Sequence, residues 1–165
     1  MPGDINPHGT LFGGVIMTWI DKIAFMCAQN FAECKTVVTV NIDQIEFIKP
    51  AFMGDQIVLS ALVVSVGNTS MEIDVTLQRE VPEEQIKELM SQTSLTFVAF
   101  KKDGSKHTVP ELILETSKDL SRYKNAQMRI KRRKILKEEL EKEDNSQELP
   151  PLANQLVLSY LKNLV

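Results

Sequence analysis

Between Gly13 and Asn30 the chain reads GGVIMTWIDKIAFMCAQN, and its apolar positions are spread round most of a helical circumference. A helix of that composition has to be enclosed by the rest of the chain. The segments that follow are expected to cover it on nearly all sides, leaving a narrow wet stripe along Thr18, Lys22 and Gln29. Those segments have the character of strands. In TVVTVNIDQIEFI (36–48), Val38, Val40 and Ile42 alternate with Thr39, Asn41 and Asp43. MGDQIVLSALVVSVGN has a turn at Gly54-Asp55 and a strand to Val66; TSMEIDVTLQRE sets Met71, Ile73, Val75 and Leu77 against Glu72, Asp74, Thr76 and Gln78; SQTSLTFVAFKKDG adds a strand near 91–101. VPEEQIKELM, between the last two, is expected to form a short helical turn. One buried helix followed by strands predicts an α+β fold, an antiparallel sheet wrapped on the helix.

Past Pro110 the composition changes. ETSKDLSRYKNAQMRIKRRKILKEELEKED has neither Gly nor Pro and is densely charged, which predicts an exposed helix from about Thr116 to Glu143. A polar linker ending in prolines and an amphipathic segment, LANQLVLSYLKNLV, follow. The expected organisation is a domain over 1–113, a charged helix over 114–144, and a linker with a short amphipathic helix over 145–165. A chain of 165 residues, 43% hydrophobic, has material for one such core. Its net charge of -3 argues against a surface built for nucleic acid or anionic lipid, so any cationic site is local. No apolar run is long enough to span a bilayer, and Met1-Pro-Gly-Asp does not open a secretory leader; a soluble, cytoplasmic protein is expected. Two cysteines and two histidines make neither a disulfide framework nor an obvious metal site, and no metal is expected.

Asp21 stands out against this background. On a helix it shares a stripe with Gly14, Met17, Ala24 and Ala28, so it is either a solvated residue or a carboxylate held in an apolar site, where its basicity would serve a general base or nucleophile. Ahead of it, HGTLFGG places three glycines before and at the helix start, where backbone can be approached closely and first-turn N–H groups are unspent. The pattern is not a nucleotide P-loop. Gly13 lies roughly 12 Å along the helix from Asp21 at 1.5 Å per residue, so one helix does not bring both to one carbonyl. Two copies meeting across a dimer axis can.

Three blocks in order, DINPHGTLFGGVIMTWID, VVTVNIDQIEFIKPAFMGD and VGNTSMEIDV, resemble the hot-dog-fold acyl-CoA thioesterases, in the group of bacterial short/medium-chain and brain-type acyl-CoA hydrolases, over about residues 3–113. AQMRIKRR resembles the Ala-x-x-Arg helix that often follows the domain in this group. The resemblance implies a long helix wrapped by a curved antiparallel sheet, a homodimer sharing its active sites, commonly a trimer of dimers, and hydrolysis of acyl-CoA with no cofactor, coenzyme A being part of the substrate. It implies that Asp21 is the catalytic carboxylate, that Asn6 positions water or substrate, and that the N–H of Gly13, with Gly14 beside it, polarises the thioester carbonyl. Thr69 and Ser70 fall in the family's segment near the CoA. Arg129, Arg132 and Arg133 are either phosphate-binding or one solvated helix face. His8 gets no role, and Lys49 before Pro50 is read as structural.

The sequence also departs from the family. Members carry further residues ahead of the Asp-x-Asn block that form a first strand; either that strand is missing here or the sequence begins at an internal methionine. The tail from about Ile135 has no counterpart in the resemblance. Two other readings compete. A hot-dog hydratase or dehydratase would need a histidine beside an acid, and His8 is the one nearby. A non-catalytic acyl-CoA sensor would use RIKRRK for a partner, but the acidic EELEKED that follows repels nucleic acid.

Overall fold

A computed structural model of the chain describes residues 2–81 and 86–146. After a 3₁₀ turn, Pro2–Asp4, come helix α1 (Gly13–Ala32), strands β1 (Thr36–Ile42), β2 (Glu46–Phe47), β3 (Gln56–Val66), β4 (Ser70–Val81) and β5 (Ile86–Phe100), and helix α2 (Ser117–Ser146). The sheet is antiparallel in the order β1-β5-β4-β3, with β2 also on β5. The expected α+β arrangement is met. The chain divides into two compact units, residues 1–126 and 127–165.

Helix α1 starts where Phe12 leaves it in an extended conformation, φ -63° and ψ 134°, and ends at Glu33, whose left-handed φ of 50° turns the chain back while its N–H bonds the Gln29 carbonyl. Ile16, Ile20, Ala24, Ala28 and Ala32 recur at the four-residue helical spacing and are buried against Met71, Ile73, Val75 and Leu77 of β4 and Leu95, Phe97 and Ala99 of β5. Three of the helical contacts are alanines, so the helix lies close to the sheet.

Four expectations need correction or bounding. Enclosure of α1 is one-sided in the protomer: Met17 is 48% and Met26 66% exposed, because the sheet covers a single face. The strand expected over 36–48 is interrupted, because Asp43, Gln44 and Ile45 stand opposite just Thr93 and Ser94 in the ladder. VPEEQIKELM contributes strand where it is described: Ile86–Leu89 pair with Gln78–Val81, tertiary pairing overriding helical propensity. The amphipathic segment over 152–165 lies outside the described residues.

Candidate active site

The helix start and the strand antiparallel to it set the geometry. In the loop before α1, the Asn6 amide donates to Thr10 Oγ1 at 2.8 Å, and its Oδ1 accepts the N–H groups of His8 and Thr10 at 2.9 and 3.2 Å. Gly9, at φ +79°, completes that turn. Asn6 therefore holds the loop that delivers Gly13, and no hydrogen bond joins it to Asp21 in the protomer. The ring of His8 is exposed and pairs with no acid among the described residues.

At the helix start, Val15 and Ile16 N–H groups both reach the Phe12 carbonyl, at 3.1 and 3.2 Å, leaving those of Gly13 and Gly14 without a partner among the described residues. A side chain at Gly13 would meet Phe47 of β2 at 3.4 Å, whereas nothing lies within 4 Å of the same position at Gly14. An apolar cavity of about 280 Å³ opens here between Leu11, Gly13, Ile16, Phe47 and Pro50. A second, of about 220 Å³, lies beside Trp19, Phe52 and Ile57.

Further along the helix, Asp21 is half-buried, and its Oδ1 accepts the hydroxyl of Thr39 at 2.9 Å. The pairing register sets this contact: Thr39 pairs with Phe97, and a bulge follows at Val40, the extra residue before Asn41 pairs with Thr96. Thr39 shares the sheet face of Phe97, toward α1, while Val38 and Val40 are exposed. That is the reverse of the alternation expected, and it is why Thr39 escaped sequence reasoning. Its signal was position, a hydroxyl one strand away from the helix carboxylate, which only the pairing register reveals.

Thr69 and Ser70 sit half-buried at the β3–β4 turn, closed by Gly67 N–H to the Ser70 carbonyl at 2.9 Å. The structure thus places Asp21 beside Thr39, and Gly13 and Gly14 at the helix start near β2. Arg129, Arg132 and Arg133 fall on the part of α2 that belongs to the second unit. Among the described residues no group of histidine, cysteine and carboxylate side chains forms a metal cluster. Burial pushes the Cys27 thiol up from its ordinary range, opposed by a weaker backbone hydrogen bond at Val63, so it is protonated near neutrality and is no nucleophile. An aspartate with one oxygen held, an acyl-sized apolar cavity and free helix N–H groups suit acyl transfer from an uncharged carbonyl.

The antiparallel sheet on one long helix is the arrangement of the hot-dog class. The thioesterase superfamily profile matches residues 8–86. An uncharacterised acyl-CoA thioester hydrolase of Bacillus subtilis is 36% identical over 133 residues, covering 81% of this chain and 77% of that protein. The chain therefore belongs to the acyl-CoA thioester hydrolases of the thioesterase superfamily. Among solved structures, the Staphylococcus aureus acyl-CoA hydrolase in complex with butyryl coenzyme A, coenzyme A and coenzyme A disulfide superposes with a TM-score of 0.79 at 34% identity, covering 89% of this chain and 90% of that one. The same hydrolase has been solved with single alanine replacements of an aspartate, a threonine and, with coenzyme A bound, an asparagine. A hexameric hot-dog-fold thioesterase of Campylobacter jejuni superposes with a TM-score of 0.58 at 33% identity, covering 67% of this chain and 84% of that one. No described helix is long and apolar enough to cross a membrane.

Proposed function

We propose that this chain hydrolyses acyl-CoA to a carboxylic acid and coenzyme A in a site built by two protomers, with Asp21 from one and the helix start at Gly13 from the other. The observation that carries the reading is the Asp21–Thr39 hydrogen bond, which fixes one carboxylate oxygen at the sheet and leaves the second for chemistry. The replaced residues of the S. aureus hydrolase support the same set. Its asparagine and aspartate are fifteen positions apart, as Asn6 and Asp21 are, and its threonine lies seventeen beyond the aspartate, against eighteen from Asp21 to Thr39.

The chemistry follows. The Gly13 N–H, with Gly14 beside it, donates to the thioester oxygen and stabilises the negative charge that develops there, aided by the helix dipole. Asp21 takes a proton from water as the water oxygen attacks the carbonyl carbon, or attacks that carbon itself to give a mixed anhydride that water then opens. In either case the C–S bond breaks and the thiolate leaves with the bonding pair. A thiolate is a good leaving group, so no strong general acid is required, in keeping with an exposed His8. Asn6 shapes the loop that presents Gly13 and has a second amide hydrogen for water or substrate.

Two faces left open in the protomer support the shared site. Met17 and Met26 of α1 are exposed, and β1 is an edge strand, so a second copy that pairs edge to edge lays α1 beside α1 and brings Gly13 toward the facing Asp21. Exposed Val38 and Val40 supply further apolar surface for assembly beyond the dimer, as in the hexameric relative. The first test is thiol release from purified protein offered acyl-CoA. Asp21→Asn is expected to lose about 10²- to 10⁴-fold in kcat, and undiminished turnover would overturn the assignment. Single turnover in ¹⁸O-water reads the nucleophilic route when water opens the anhydride at the Asp21 carbon, because the first product then carries an unlabelled aspartate oxygen and Asp21 the label.

A further inference from the structure

Phe100 does not end the ordered chain at its edge of the sheet but opens a tight hairpin. Lys101 N–H bonds the Ser105 carbonyl at 2.7 Å, Gly104 N–H bonds the Lys101 carbonyl at 3.0 Å, Gly104 takes φ +82°, and Phe100 bridges Lys106. The hairpin carries Lys101, Lys102 and Lys106, all exposed and none in an ion pair among the described residues. Lys35, just ahead of the Thr36–Phe100 pair, extends the set. Elsewhere in this unit Lys49, Arg79, Lys87 and Arg122 are each engaged by a carboxylate, and the other exposed lysines without an ion pair among the described residues, Lys22, Lys118 and Lys124, are not gathered on one turn. The acid in the hairpin, Asp103, is exposed and bound to its own loop: the hydroxyl and N–H of Ser105 both donate to it, at 2.7 and 2.9 Å, and these bonds first, then the charge of Lys101, hold its carboxyl below the usual range. Glu33, two residues before Lys35, is a further exposed acid on this side.

Position matters as much as charge. Ala99 N–H bonds the Thr69 carbonyl at 2.9 Å and Val109 N–H bonds that of Asn68 at 3.0 Å, so the hairpin stands against the turn bearing Thr69 and Ser70. The β1 end paired with Phe100 is three residues from Thr39, roughly 10 Å at 3.3 Å per residue. The pantetheine arm of coenzyme A, with two amide bonds, is about as long as a four-residue peptide, roughly 14 Å extended. An arm that runs from a thioester at Asp21 along β1 toward Thr36 brings the phosphates of its nucleotide to this end.

We infer that the hairpin 100–106, through Lys101, Lys102 and Lys106, is the docking site for the phosphates of the coenzyme A nucleotide, which gives a protein of net charge -3 its local attraction for a polyanionic substrate. The inference rests on the acyl-CoA reading above. It assigns phosphate recognition to the lysines beside Thr69 rather than to the arginines of α2.

The test compares the Lys101→Ala/Lys102→Ala/Lys106→Ala protein with its parent on acyl-CoA and on the same acyl group carried by pantetheine, which lacks the nucleotide. The KM for acyl-CoA is expected to rise about ten-fold with kcat nearly constant and to lose its dependence on salt, while the KM for acyl-pantetheine stays where it was. An unchanged KM for acyl-CoA, an equal rise for both esters, or the same selective rise on replacing Arg129, Arg132 and Arg133 instead would overturn the inference. Calorimetric binding of coenzyme A to the parent and the triple variant keeps the two readings distinguishable. A protein without thioesterase turnover that still loses coenzyme A on lysine replacement refutes the activity and retains the site.

Discussion

At the scale of single residues, the question is what each group near Asp21 contributes beyond being there. The Thr39 hydroxyl is spent on the carboxylate, so in the proposed reaction it has no proton to give and its part is to position Asp21. Thr39→Val keeps the shape and removes the donor, and is expected to lower kcat by about ten-fold with KM little moved, at a stability cost of about 1 kcal/mol for the lost hydrogen bond. Thr39→Ser is expected to restore most of the loss, which a purely structural role would not require. Gly14 makes the complementary case. A methyl group there meets nothing within 4 Å, and alanine is the better helix former, so Gly14→Ala is expected to leave the melting temperature of the protomer unchanged or slightly raised. If substrate or the facing protomer approaches the backbone at this point, as the shared site requires, kcat/KM falls all the same. Asp21 and the glycines were legible because their oddity is local: a carboxylate in an apolar stripe and a glycine pair at a helix start show in the order of residues. Thr39 was not, because what qualifies it is a partner eighteen positions away.

Among the elements, the two helices were the readable ones, for opposite reasons. The apolar stripe of α1 is set by its packing on β4 and β5, and the limits of α2 by its charge density and cap. At that cap Thr116 Oγ1 donates to Asp119 at 2.6 Å and accepts the Asp119 N–H at 3.1 Å, a reciprocal capping box. The Thr116 hydroxyl first, then its N–H and Arg122, hold the Asp119 carboxyl below the usual range. A depressed carboxyl stabilises the folded helix start above the unfolded pKa of about 3.9 and loses that contribution as pH falls through its lower folded value. Protection of the Asp119 and Leu120 amides, measured against the intrinsic exchange rate at each pH, is therefore expected to fall on acidification below pH of about 4. Thr116→Ala should speed exchange at neutral pH and abolish most of that acid step; an identical acid step in the variant would refute the cap's role. The strands were less legible, since β-propensity says that a segment pairs and not with what. IKEL (86–89) reads as helix until Gln78–Val81 claim it, and the bulge at Val40 cannot be seen without β5 alongside.

For the whole molecule, the proposed function asks two groups eight residues apart on one helix, Gly13 and Asp21, to act on one carbonyl, and on that proposal activity is a property of the pair of chains. Gly13→Pro isolates the other half of the site. Gly13 is the first residue of α1, where proline is favoured; Phe12 already has the extended conformation, φ -63° and ψ 134°, that proline demands of its predecessor; and the N–H removed is one the helix does not use. The variant is expected to fold and dimerise as the parent does and to lose about 10²-fold or more in kcat, the cost typical of a lost oxyanion donor. Co-refolding equal amounts of Gly13→Pro and Asp21→Asn chains then gives a distinct arithmetic. Half of the dimers are mixed, and if each site takes its carboxylate from one chain and its N–H from the other, a mixed dimer carries one intact site and one doubly impaired, so about a quarter of parental activity returns from two inactive proteins. If each chain instead supplied both groups to its own site, every site in the mixture would lack one of them, and no activity would return at any ratio.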